Sequence, residues 1–206
     1  VALLSQKTIN SKIRSVFEKL GNTIVHPILL VQELNISFKK SRLFFQINYD
    51  PETEINIIET TGYFAPDYKD YSVIILLNIN PETKRVELKE LLLVDISITI
   101  QHEFVHKRQY IKRGRRFFDS KEFKPIINDK QELKEYFELP DEIDAYAKNI
   151  VLDLSQRFPE LDTEGLFKFL SFSSIWMLYG ITSNKTKKKL LRKVYKLHKQ
   201  GVQWDT

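Results

Sequence analysis

The stretch Val94-Asp95-Ile96-Ser97-Ile98-Thr99-Ile100-Gln101-His102-Glu103-Phe104-Val105-His106 decides how this chain is read. Val94, Ile96, Ile98 and Ile100 alternate with polar residues, as in a strand. Wound as a helix, the same stretch sets Ile98, His102, Val105 and Gln109 on one face. Leu93, Ile96, Ile100 and Phe104 then fall on another. A helix apolar on more than one side is a buried helix. We read one from about Asp95 to Arg113, with Asp95 as its N-cap and Gly114 as its stop.

The helical reading makes chemistry of its second half. His102-Glu103-Phe104-Val105-His106 is H-E-x-x-H. Histidines at i and i+4 project from one side of a helix. They can share one zinc ion through ring nitrogens about 2.0–2.1 Å from the metal. Glu103 follows the first histidine and is the candidate general base, taking a proton from a water that the metal has acidified. The chain holds four histidines, and half of them fall in this motif. The bland alternative is a solvated helix with two unrelated histidines.

Composition narrows the donors. There is no cysteine, which excludes disulfides, a thiolate metal site and a cysteine nucleophile. Any metal must use imidazole and carboxylate ligands. Apolar residues make up 42% and charged residues 29%, which suits a globular domain with a real core. No apolar run is long enough to span a bilayer, and Val1-Ala2-Leu3-Leu4 is too short for a signal-peptide core. The expectation is a cytoplasmic protein without membrane contact. Abundant Lys, Asn and Ile point to an AT-rich source such as a phage, virus or low-GC bacterium, and for a phage protein the location is host cytoplasm or virion.

The net charge of +5 is local. Lys185 to Lys199 carries eight basic residues and no acid, so the rest of the chain sums to −3 (5 − 8). Lys107, Arg108, Lys112, Arg113, Arg115 and Arg116 form a second cluster after the histidines.

Outward from the motif, Ile13, Val16, Phe17 and Leu20 predict a helix stopped at Gly21, and Pro27 opens a short helix through Leu34. Leu43 to Tyr49, Ile55 to Phe64 and Tyr71 to Ile79 read as three strands with turns at Asp50-Pro51 and Ala65-Pro66-Asp67. Short connections favour an antiparallel sheet, with Tyr71 to Ile79 as its edge. Residues 115–137 read as loop with some short helix. Pro140 opens a helix with Asp141 and Glu142 near its positive end, striped by Ile143, Ala147, Ile150 and Leu154. Leu166 to Tyr179 reads as one apolar helix. Asn184 to Lys199 reads as a basic amphipathic helix with Leu190, Val194 and Leu197 as its apolar face.

A catalytic zinc keeps three protein ligands. The metzincin position six residues after His106 is Lys112, and Gln109 stands where that motif needs glycine. His26 and His198 read as surface histidines. A carboxylate is the remaining donor type. Leu139-Pro140-Asp141-Glu142-Ile143-Asp144-Ala145-Tyr146-Ala147 supplies several, and Glu138, Asp141, Glu142 and Asp144 are all open as ligands. The bland reading of Glu142 is an acid favoured by the helix dipole.

Taken together, these two motifs resemble the gluzincins, and most closely the small E-x-[DE]-A type of the ImmA/IrrE-like group. The resemblance covers about residues 41–157. It implies a zincin-like α+β fold: a small antiparallel sheet, an active-site helix and a helical C-terminal half. It implies Glu142 as third metal ligand, with Ala145 as the small residue that lets two helices approach. Asp144 then orients a histidine N–H from the second layer. Tyr146-Ala147 replaces the asparagine-containing continuation of that group.

Gln109, one turn past His106, is a further supporting residue. Tyr146, Tyr110 and Tyr179 are candidate donors to a developing oxyanion, and chain position does not choose among them. Residues 1–184 form the zincin-like domain in this reading, with a sheet lobe over about 1–114 and a helical lobe over about 115–184. The basic helix and tail occupy 185–206. The leading function is a zinc-dependent peptidase acting on a peptide or protein. The competing class is a structural or nucleic-acid-associated module, such as a virion component. It would dock an acidic partner or phosphates through Lys185 to Lys199.

Overall fold

A computed structural model of the chain describes residues 4–21, 23–66, 72–113, 130–158, 160 and 162–200. Gly114, Arg115 and Arg116, expected as a helix stop and part of a basic cluster, lie outside the described residues, as does most of 115–137. The chain divides into two compact units, one ending at Lys107 and one beginning at Arg108.

The first unit opens with α1 (Gln6–Lys19), capped by the Ser5 hydroxyl accepting from Thr8 N–H and ending before Gly21, whose φ is +84°. Its stripe of Ile9, Ile13, Val16 and Phe17 is buried. After the short β1 (Ile24–Val25), α2 (Pro27–Phe38) runs a turn beyond the expected Leu34 because Phe38 is also fully buried. His26 caps α2, its Nδ1 accepting from Ile28 N–H at 3.3 Å, so this histidine has a structural task.

The sheet consists of β2 (Leu43–Tyr49), β3 (Glu59–Ala65) and β4 (Ser72–Ile79), in the order β2-β4-β3. Two expectations are corrected here. β4 pairs parallel with β2 and antiparallel with β3, so the sheet is mixed. And β4, expected at the edge, is the central strand. Seven of its eight residues are buried, which is why Val73 to Leu77 is a continuous apolar run: a strand covered on both faces has no polar side to alternate with. Asn56, at φ +67°, interrupts the extended segment expected from Ile55, so β3 begins only at Glu59.

The two outer strands are treated differently. At the free edge of β2, the Asn35 side chain acts as a substitute strand. Its Nδ2 donates to Phe45 O at 2.8 Å and its Oδ1 accepts from Phe45 N–H at 2.9 Å. Among the described residues no strand pairs with the outer edge of β3. A second antiparallel pair joins β1 to β5 (Val86–Glu87).

The deciding stretch is helical: α3 spans Glu90–Lys112. It starts five residues before Asp95, which lies inside the helix and is not its cap. Burial of Leu92, Leu93, Val94, Ile96 and Ile100 outweighs the modest β preference of its branched residues. Ser97 of α3 is pinned to Gln6 and Asn10 of α1. The unit division falls within α3.

The second unit holds the end of α3 together with α4 (Lys130–Glu138), α5 (Pro140–Arg157), α6 (Thr163–Phe169), α7 (Ser174–Leu178) and α8 (Asn184–Lys199). The apolar run Leu166 to Tyr179 is not one helix. It breaks into 3₁₀ turns, and Ser173 caps α7 by accepting from Trp176 N–H. Serines that bond the backbone compete with helix continuation. Helix α8 packs on α5, with Leu190 and Val194 buried and Leu197 half-buried. Described elements thus give an α+β class, and no helix among them is long and apolar enough to cross a membrane.

Candidate metal centre

Helix α3 presents His102 and His106 as neighbours one turn apart. Their ring centroids are 4.7 Å apart at an interplanar angle of 71°. The two Nε2 atoms are 3.0 Å apart. Two nitrogens bound tetrahedrally at about 2.05 Å would be separated by roughly 3.3 Å, so the rings already point at one shared position. His102 and Glu103 are buried, and His106 is half-buried.

Glu103 is held by an approach of backbone. Facing it is Gly62 of β3, where an ideal Cβ would lie 2.9 Å from Glu103 Cγ, 3.0 Å from Ile75 Cδ1 and 3.2 Å from Ile74 O. No other residue type fits there without displacement. One step back along β3, Thr60 Oγ1 bonds Thr99 Oγ1 at 2.7 Å, four residues before Glu103 on α3. Gly62 and Thr60 were not singled out in the sequence. A lone glycine inside a strand pattern is the signal that marks such close approaches.

Glu142 stands in the first turn of α5, which Pro140 opens at its first helical position. The adjoining Asp141 is tied to the end of α3 and the residue after it: Arg113 Nη2 reaches Asp141 Oδ1 at 2.6 Å, and Gln109 Nε2 donates to Asp141 O at 3.3 Å. Gln109 therefore holds backbone next to Glu142. Arg113 does the same work and was unmarked in the sequence except as one of a basic cluster. His102, His106 and Glu142 are a group of residues that could hold a metal ion. Two imidazoles and a carboxylate are a donor set that suits zinc and its first-row neighbours, and the burial of Glu142 at 6% exposure favours a cation beside it.

Ala145, one turn after Glu142, is fully buried. Asp144 has a different partner from the one the resemblance implied: its Oδ1 forms an ion pair with Lys193 of α8. Two residues along a helix turn the side chain by about 200°, so Asp144 projects from the side opposite Glu142. Tyr146 packs edge-on between Phe137 and Tyr179, at centroid distances of 5.3 and 5.8 Å. Burial raises the Tyr179 hydroxyl pKa, and the neighbouring Tyr146 and the Glu142 charge raise it further. Burial and Arg42 lower the pKa of Lys107. Tyr110 is buried, and His198 lies in the last turn of α8.

The chain matches no protein-family model, no curated protein and no solved structure.

Proposed function

We propose that this chain is a zincin-like, zinc-dependent peptidase, with the metal held by His102, His106 and Glu142. The observation that carries the reading is the pairing of His102 and His106 on α3, their Nε2 atoms 3.0 Å apart, with Glu103 buried on the same helix; Glu142 is the third ligand in this reading. A bound zinc supplies Lewis acidity toward a water and a substrate carbonyl. Glu103 accepts the proton of the attacking water and returns it to the leaving amine. Gly62 lets β3 lie against Glu103 and fixes where the carboxylate sits. Gln109 and Arg113 orient the turn that carries Glu142. An extended peptide pairs with the outer edge of β3, since Asn35 blocks β2 and β4 is central. Tyr146 and Tyr179 lie on the Glu142 side and are candidates for an oxyanion donor.

The test compares metal-loaded wild type with Glu103→Gln in a cleavage screen on a denatured proteome. Glutamine keeps shape but cannot accept the proton, so turnover falls by about 10²–10⁴-fold while metal stays bound. Identical cleavage maps for both proteins would end the reading.

A second reading keeps the basic helix as a docking device. With Leu190 and Val194 packed inward, Lys185, Lys188, Lys189, Arg192, Lys196 and Lys199 are exposed. A module that docks nucleic acid or an acidic partner through them would bind it with a steep salt dependence. Salt-insensitive binding, or none, counts against it.

A further inference from the structure

Within the first unit, β3 and α3 are matched step for step. Gly62 faces Glu103, and Thr60 bonds Thr99 and the Asp95 carbonyl. Two strand residues advance about 6.6 Å and four helix residues about 6.0 Å, so the two elements keep register. Before β3 begins, Ile58 and Asn56 come to one groove with Asp95 and Leu91 of α3. All four line one groove of about 910 Å³, at the upper end of typical ligand pockets of about 300–1,000 Å³. Ile24, Ile55, Ile57 and Leu91 also line it and are 45–59% exposed. Three acidic and three basic residues complete the lining, so the groove has no net charge to attract phosphates or a polyanion.

We infer that this groove is a distal subsite for an apolar side chain of the peptide whose backbone lies on β3. The inference rests on the peptidase reading for its ligand and on the β3–α3 register for its position. Asp95 is eight residues and Leu91 twelve residues before Glu103, or about 12 and 18 Å along the helix. An extended peptide covers that distance in four to five residues. Antiparallel pairing is the more stable arrangement on a strand edge. It directs the peptide's carboxyl end toward Glu59 and the groove. The recognised side chain is therefore apolar and lies four or five residues to the carboxyl side of the cleaved bond.

The groove residues to be changed are exposed, so Ile57→Ser with Leu91→Gln leaves the folded core intact. Twelve-residue peptides of alanine and serine, each with one phenylalanine moved along the chain, are the probe. Binding is measured on the zinc-loaded Glu103→Gln protein, and cleavage on the wild type. We expect phenylalanine at one or two adjacent positions to raise binding about tenfold, the scale of partly burying such a side chain. The double groove variant should lose that preference while its baseline binding and zinc content stay unchanged. In the cleavage arm the preferred phenylalanine falls four or five residues after the cut. Phenylalanine-dependent binding that survives the groove changes overturns the inference even if cleavage is robust. So do binding without positional preference, no binding by any peptide, and a preference confined to the amino side. Groove-dependent binding without Glu103-dependent cleavage keeps the subsite and removes the peptidase reading.

Discussion

Replacing Gly62 by alanine adds one methyl group where the structure has no room for it. The new Cβ would meet Glu103 Cγ at 2.9 Å, Ile75 Cδ1 at 3.0 Å and Ile74 O at 3.2 Å. The carbonyl belongs to the central strand and cannot retreat cheaply, whereas the two side chains can yield. Overpacking by a methylene costs about 1–3 kcal/mol. Loss of glycine's freedom in the unfolded chain offsets about 0.4–1 kcal/mol of that. The net destabilisation expected is about 1–2 kcal/mol, or about 2–8 °C in melting temperature for a chain of this length. The closest contact is Glu103 Cγ, so Glu103→Ala should relieve much of the cost. We expect the penalty of Gly62→Ala to halve in that background, a coupling of about 0.5–1 kcal/mol in a double-mutant cycle read by denaturant unfolding. The cycle needs no substrate. Additivity within about 0.3 kcal/mol, or a neutral Gly62→Ala, would refute the packing of β3 on the candidate base.

Other outcomes follow from the same geometry. His102→Ala and Glu142→Ala should each sharply reduce zinc stoichiometry measured by elemental analysis; full affinity in a folded Glu142→Ala protein would remove Glu142 as a ligand. Asp144→Asn should leave zinc affinity unchanged, because the Asp144 partner in the structure is Lys193; a loss matching that of Glu142→Ala would restore Asp144 to the site. Glu138 accepts from Ser183 N–H at the start of α8, chiefly holding its carboxyl below the ordinary value of 4.5. A depressed carboxyl contributes stability that is full above the unfolded value and lost as pH falls through the folded one. Helix loss below about pH 4.5 should therefore be less steep in Glu138→Gln than in the wild type, followed by circular dichroism.

Much of the local structure was legible in the chain because its causes are local. Gly21, Pro27 and Pro140 bound helices where their backbone chemistry requires it, and α8 begins and ends where its charge and apolar stripe indicate. The two histidines and Glu103 were likewise readable, since a fixed helical spacing sets their relation without any other element. What escaped depends on contacts between distant segments. Strand order is one case: nothing local distinguishes a central β4 from an edge β4 except its unbroken apolar run, and the parallel pairing with β2 follows from β4 inserting between its neighbours. The start of α3 is another, because burial of Leu92 and Leu93 overrode the strand-like alternation around Asp95. Spacing along one helix tells which side chains share a face, but not what lies opposite that face. The sequence by itself determined a helix able to offer two imidazoles and a carboxylate. Only the tertiary structure decided that Gly62 would press on Glu103, that Gln109 and Arg113 would grip the turn bearing Glu142, and that Asp144 would turn away to Lys193.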